Sequence, residues 1–144
     1  MATMINPYLN FNGKTEEAFN FYKSVFGGEF AMLQRIKDTP GGDKVPAHEQ
    51  NRVMHVALPI GKSTVLMASD IMESMGHTLS MGNNFSISVH TESEKEADKI
   101  FNGLVNGGKV NIPLEKQFWG SYYGMLTDKF GVQWMVSYDF GQPK

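Results

Sequence analysis

The side chains in this sequence that can do polar chemistry are few, and their spacing sorts them. Histidines stand at positions 48, 55, 77 and 90. His55 lies in a strand-like run on the face it shares with Val53 and Ala57, opposite Met54, Val56, Leu58 and Ile60, so it is expected to point into any cavity on that face. His90 ends another such run, on a polar face. Joined by a carboxylate such as Glu49, these two would form a two-His, one-carboxylate set, which leaves coordination positions open on a divalent ion. Nothing in the spacing demands that set, and a mid-strand His is usually hydrogen-bonded or solvated. His48 and His77 fall in loop-like stretches and are expected to meet solvent. Trp119, Tyr122 and Tyr123 either stack on a planar ligand or roof the core. Cysteine is absent, which removes disulfides, thiolate nucleophiles and thiolate metal sites together. Ser, His and Asp are present without a nucleophile elbow. Pro40-Gly41-Gly42-Asp43 lacks the strand-to-helix context of a phosphate loop. Glu16-Glu17 and the stretch from Glu94 to Lys99 read as solvated helix faces.

The elements that must position these groups occur twice. Ala18, Phe21, Tyr22, Val25 and Phe26 are echoed 79 positions on by Ala97, Ile100, Phe101, Leu104 and Val105 (97 − 18 = 79), and each run ends in a Gly pair. That rhythm is one face of an α-helix, and its repetition signals a duplicated supersecondary unit. In the first half, strands are expected over 5–11, 29–37, 53–60 and 63–69, with a helix from about Thr15 and a long polar loop over 38–51. In the second half, strands are expected over 84–90, 109–114, 121–127 and 132–138. Ser93 and Glu96 open the second helix as a capping box. The stretch 128–131, Asp-Lys-Phe-Gly, reads as a hairpin turn. Each half is thus β-α-β-β-β. The expectation is a single α+β domain over 1–144, with module one at about 1–70, a linker at about 71–83 and module two at about 84–144.

The helices should cover one face of each sheet, through Leu9, Phe11, Phe85, Ile87, Val89, Trp134 and Val136. The opposite face carries Asn6, Tyr8, Asn10, Met67 and Ser69 in one module and Ser86, Ser88, His90, Gln133, Met135 and Ser137 in the other. That face is too polar for a dry core, because unpaired buried polar groups are costly. Two concave mixed sheets curled about one cavity would use it as a small-molecule site, with His55, Trp119 and Tyr123 at its wall. Net charge is −2 with no basic run, so nucleic acid is not an expected partner. No apolar run approaches membrane length and no leader pattern opens the chain, so a cytoplasmic protein is expected.

Several stretches resemble the vicinal-oxygen-chelate superfamily of glyoxalases, bleomycin-resistance proteins and extradiol dioxygenases, and within it the PhnB-like branch. They are Asn6-Pro7-Tyr8-Leu9-Asn10-Phe11, Glu17-Ala18, Phe21-Tyr22, Phe26-Gly27-Gly28, Val53-Met54-His55 and Met67-Ala68-Ser69-Asp70. Phe118-Trp119-Gly120, Tyr123-Gly124 and the run from Asp128 to Met135 complete the match. The resemblance implies a glyoxalase-like fold of paired β-α-β-β-β modules and a homodimer. Metal-dependent members take His, Glu or Gln ligands from the first and last strand of each module. Those positions correspond here to Asn6, Met67, Asn84 or Ser86, and Met135, whose amides, hydroxyl and thioethers are poor ligands for such ions. The expected function is therefore a small-molecule-binding protein without the superfamily's metal centre and without a cofactor. The alternatives are a metal-dependent enzyme recruiting His55, His90 and Glu49, and an interaction scaffold.

Overall fold

The computed structural model describes residues 3–140. The chain divides after Ser80 into two compact units. The first holds β1 (Tyr8–Phe11), α1 (Thr15–Phe26), β2 (Met32–Arg35), the short α2 (Ala47–Gln50), β3 (Val53–Ile60) and β4 (Thr64–Asp70). The second holds β5 (Ile87–His90), α3 (Glu94–Val105), β6 (Lys109–Lys116), β7 (Ser121–Thr127) and β8 (Gln133–Asp139). The sheets run β1-β4-β3-β2 and β5-β8-β7-β6. In each, the outer first strand is parallel to the last and the other pairs are antiparallel. The duplication is therefore real: α1 and α3 begin 79 residues apart (94 − 15 = 79), as do β1 and β5 (87 − 8 = 79). The fold is α+β with two four-stranded mixed sheets.

α3 buries the stripe its sequence period marks, whereas α1 buries Ala18 and Tyr22 of its expected stripe together with Phe19, and leaves Phe21, Val25 and Phe26 half-buried. The Phe19 and Tyr22 rings meet edge-on at 5.4 Å. They share the core of the first unit with Leu9, Phe11, Val56, Leu58, Leu66 and Ala68. On α3, Ala97, Ile100, Phe101 and Leu104 share the second core with Leu126, Trp134 and Val136. Burying each of the larger side chains contributes on the order of 2 kcal/mol.

The two helices start differently. Ser93 Oγ accepts the Glu96 N–H at 3.0 Å, and Glu96 Oε1 reaches back to the Glu92 N–H at 2.9 Å, so the expected cap forms. On α1 the preceding Lys14 gives no side-chain cap. Instead Asp70, at the end of β4, accepts from the Thr15 N–H at 3.1 Å and the Thr15 hydroxyl at 2.7 Å. At the other end of the second unit's core, Asp128 accepts from the Phe130 and Val132 N–H groups and from Trp134 Nε1, which makes the expected 128–131 turn a buried hub. Tyr122 joins β7 to α3 through its hydroxyl on Asp98 at 2.5 Å. That bond, with burial and the Asp98 and Glu94 charges, pushes the phenol up to about 12.

Four expectations need correction. The first strand does not include Ile5, which is 94% exposed. Asn6 Oδ1 takes the Val65 N–H of β4 in place of a backbone acceptor, so the regular ladder begins only at Tyr8. Phe85 is not core: it lies before β5 and is 64% exposed. β2 is shorter than 29–37, because the chain winds into a tight turn at Ile36–Asp38. Finally, Met54 does not share a face with Val56 and Leu58. The β2–β3 register slips between Gln34 and Arg35, so one residue is extra on β3. Such a bulge resets the side-chain alternation. Val53 turns into the core at 1% exposure and Met54 turns out at 47%.

Candidate functional site

A cavity of about 510 Å³ lies in the first unit. Its floor is the sheet face turned away from α1, represented by Tyr8, Met54 and Ser69. One wall is the chain after β2, with Ile36, the stretch 39–42 and Val45; the other is the chain after β4, with Met72, Met75 and His77. The reason it forms here is the place where the two modules stop matching. The second unit joins β6 to β7 through Gln117–Gly120 alone, whereas the first joins β2 to β3 through Ile36–Arg52. That extra chain is the wall.

The walls are clasped. Glu49 on α2 has no exposed side-chain surface and accepts from the Ser74 hydroxyl at 2.5 Å and the Ser74 N–H at 3.0 Å. Arg52 donates to the Ile71 carbonyl at 2.9 Å and meets Glu73 at 3.4 Å. The Ser74 hydroxyl bond holds the Glu49 carboxyl below the usual carboxylate range, against the opposing effect of burial, with lesser help from the Ser74 N–H, His48 and Arg52. A depressed carboxyl stabilises the folded state above the ordinary carboxylate range and loses that contribution as the pH falls through its folded value. Glu49→Gln is thus expected to be less stable than the parent at pH 7, with the gap in urea midpoints narrowing toward pH 4.

Asp70 lines the cavity with both carboxylate oxygens already engaged. Oδ1 is taken by Thr15, and Oδ2 accepts the Val53 N–H at 2.9 Å. The same carboxylate therefore starts α1 and holds the bulge that turns Met54 out. The remaining lining is mainly apolar, with three thioethers among it. Flexible, polarisable thioethers adapt to a flat guest.

The expected site residues are placed as follows. Tyr8 and Ser69 line the cavity. His55 stacks on Tyr8 with ring centroids 5.8 Å apart, and its Nδ1 is 3.4 Å from the Tyr8 hydroxyl. Asn10 accepts from Ser69 Oγ at 3.5 Å, and Met67 pairs with Tyr8 across β1 and β4. In the second unit, His90 lies between the Ser88 and Ser137 hydroxyls at 3.1 and 3.2 Å. Ser86 precedes β5; Met135 pairs with Ser88, and Gln133 Nε2 donates to the Phe85 carbonyl. Trp119 packs edge-on to Phe118 and Tyr123, at 5.1 and 6.1 Å. Glu49 groups with His48 and Glu73, their ligand atoms within 4.8 Å of one another. In that group Glu49 is committed to Ser74 and Glu73 to Arg52.

Sequence reasoning missed Met54, Met72, Met75, Asp70 and His77 as cavity residues. The Met72–Met75 spacing just after a strand was the available signal. Among the described residues no helix is long and apolar enough to cross a membrane.

A family model described as 3-demethylubiquinone-9 3-methyltransferase matches residues 3–137. The crystal structure of protein PA1353 from Pseudomonas aeruginosa is similar at 38% identity and a TM-score of 0.84, covering 96% of this chain and 98% of that one. A PhnB protein from Bacillus cereus is similar at 28% identity and a TM-score of 0.75, covering 94% and 99%. A glyoxalase/bleomycin resistance protein/dioxygenase family enzyme from Burkholderia phytofirmans shares the fold at 13% identity and a TM-score of 0.61, covering 94% and 97%.

Proposed function

Because the chain belongs to the 3-demethylubiquinone-9 3-methyltransferase family, in the PhnB-like branch of the vicinal-oxygen-chelate superfamily, we propose that it binds a small, largely apolar molecule in the first-unit cavity. The observation that carries this is the cavity itself. About 510 Å³ walled by Ile36, Val45, Met54, Met72 and Met75 suits a drug-sized guest better than a hydrated ion. A methyl-transfer role draws no support from the sheets. A nucleotide-type methyl donor usually sits at a Gly-rich strand-to-helix turn of a parallel sheet, beside a helix N-terminus. Here Asn12-Gly13 leads into α1, but Asp70 occupies that N-terminus, and Ser93 with Glu96 occupies that of α3.

The superfamily's metal does not suit the residues at the corresponding positions. Asn6 spends its amide oxygen on Val65, and Met67 and Met135 offer only thioethers. The reading therefore has no metal in it. It includes a homodimer, for which Phe118 and Trp119, 98% and 57% exposed, supply apolar surface.

The test is a screen of aromatic fragments against protein carrying ¹³C-methyl methionine, paired with metal analysis by mass spectrometry. Hits are expected to shift the Met54, Met72 and Met75 methyls and to leave exposed Met32 unmoved, with metal well below one equivalent per chain. A full equivalent of a transition metal, or no fragment that moves those three methyls, would overturn the reading.

A further inference from the structure

His77 contributes more than bulk to the cavity. The Met72 N–H donates to its Nδ1 at 3.2 Å. A backbone N–H has only a proton to give, so Nδ1 must present its lone pair, and the neutral ring then carries its own proton on Nε2. His77 lines the cavity and is exposed, so its Nε2–H is within reach of a guest at that wall.

The neighbouring polar groups are committed elsewhere. Thr39 Oγ1 donates to the Ile36 carbonyl at 2.6 Å, and Ser69 Oγ is turned to Asn10. The Tyr8 hydroxyl is next to His55 Nδ1. Both oxygens of Asp70 already accept from Thr15 and Val53. The His77 imidazole thus adds a donor to a lining rich in thioethers.

We infer that His77 selects the guest, which is an aromatic compound bearing a carbonyl-type acceptor oxygen. This rests on the cavity reading above and names the chemistry that the cavity takes. The methionines receive the ring, and the Nε2–H receives the oxygen.

Two probes of nearly the same shape separate the two claims. 2-Acetylnaphthalene carries the acceptor, and 2-isopropenylnaphthalene has a methylene in its place. Both are titrated against the full chain while the methionine methyls are followed. The parent protein is expected to bind the ketone roughly fivefold or more tighter, the worth of one net hydrogen bond. His77→Phe should still bind the hydrocarbon while its preference falls to within about twofold. His77→Asn keeps an oxygen for the Met72 N–H but reaches less far, so its loss of preference would exclude damage to the turn as the cause.

A preference that survives in both variants, or equal binding of the two probes by the parent, would overturn the role of His77 and leave the cavity reading standing. If neither probe moved the Met54, Met72 and Met75 methyls, the cavity reading would fall and this inference with it.

Discussion

Asp70→Ala is expected to lower the unfolding free energy by about 3–4 kcal/mol, because three donors, two of them backbone N–H groups, lose a charged acceptor at once. The carboxylate is 7% exposed and bonds the Thr15 N–H, the Thr15 hydroxyl and the Val53 N–H. Thr15 is fully buried and Val53 is 1% exposed, so the donors left behind are poorly placed to regain full hydration. Urea unfolding at pH 7 measures the loss, and hydrogen exchange locates it: the Thr15 and Val53 amides should lose protection before those of α3. Asp70→Asn keeps an acceptor oxygen and should lose about half as much. The consequence for binding is separate. Val53 in the core is the condition for Met54 turning out, so the alanine variant should also lose fragment-induced shifts at Met54. A variant that lost stability but kept those shifts would show that the bulge is held by the β2–β3 register alone.

The parts of the fold that a regular period marks were legible in the sequence. Both helices, the β7 strand, the Ser93–Glu96 cap and the turn at Asp128 depend on residues within a few positions of one another. The cavity depends on residues that are not. Asp70 caps a helix that begins 55 positions earlier, and no local pattern at Thr15 announces a cap delivered from β4. Met54 looks like a core residue by alternation, and only a bulge set by pairing with β2 turns it outward. Tyr8 and Ser69 lie on the polar face that the alternation marks, yet the walls that cover it come from the stretch where the duplication breaks down. A search for the repeat treats that stretch as leftover loop. His77 is the exposed loop residue its sequence context implies, and its place at the cavity is legible only through the bond that Met72 makes to it.

The wall contributed by the extra chain can be broken at one atom. An added Cβ at Gly42 would lie 1.8 Å from the Ile36 carbonyl oxygen, 2.7 Å from the carbon that bears it and 2.9 Å from the Lys37 Cα. These are backbone atoms, so no side chain can swing aside to make room. The turn is also tied, by Gly42 N–H to the Thr39 carbonyl, Thr39 N–H to the Ile36 carbonyl and Ile36 N–H to the Arg52 carbonyl. Gly42→Ala must therefore pull this wall off the rest of the unit, at an expected cost of about 3 kcal/mol, the upper end of what overpacking usually does. Gly41 is the control. Its Cβ would meet open space, but its φ of +79° disfavours a side chain, so Gly41→Ala should cost only about 1 kcal/mol. Circular dichroism should show both variants folded, with Gly42→Ala melting at the lower temperature. If residues 36–45 wall a binding cavity, Gly42→Ala should weaken the hits of the fragment screen more than tenfold and Gly41→Ala by far less. Parent-like affinity in Gly42→Ala would mean that fragments bind on the open sheet face beside Tyr8 and Met54 and do not need the wall. That ordering, unlike the stability loss alone, distinguishes a loop that encloses a guest from one that only completes the fold.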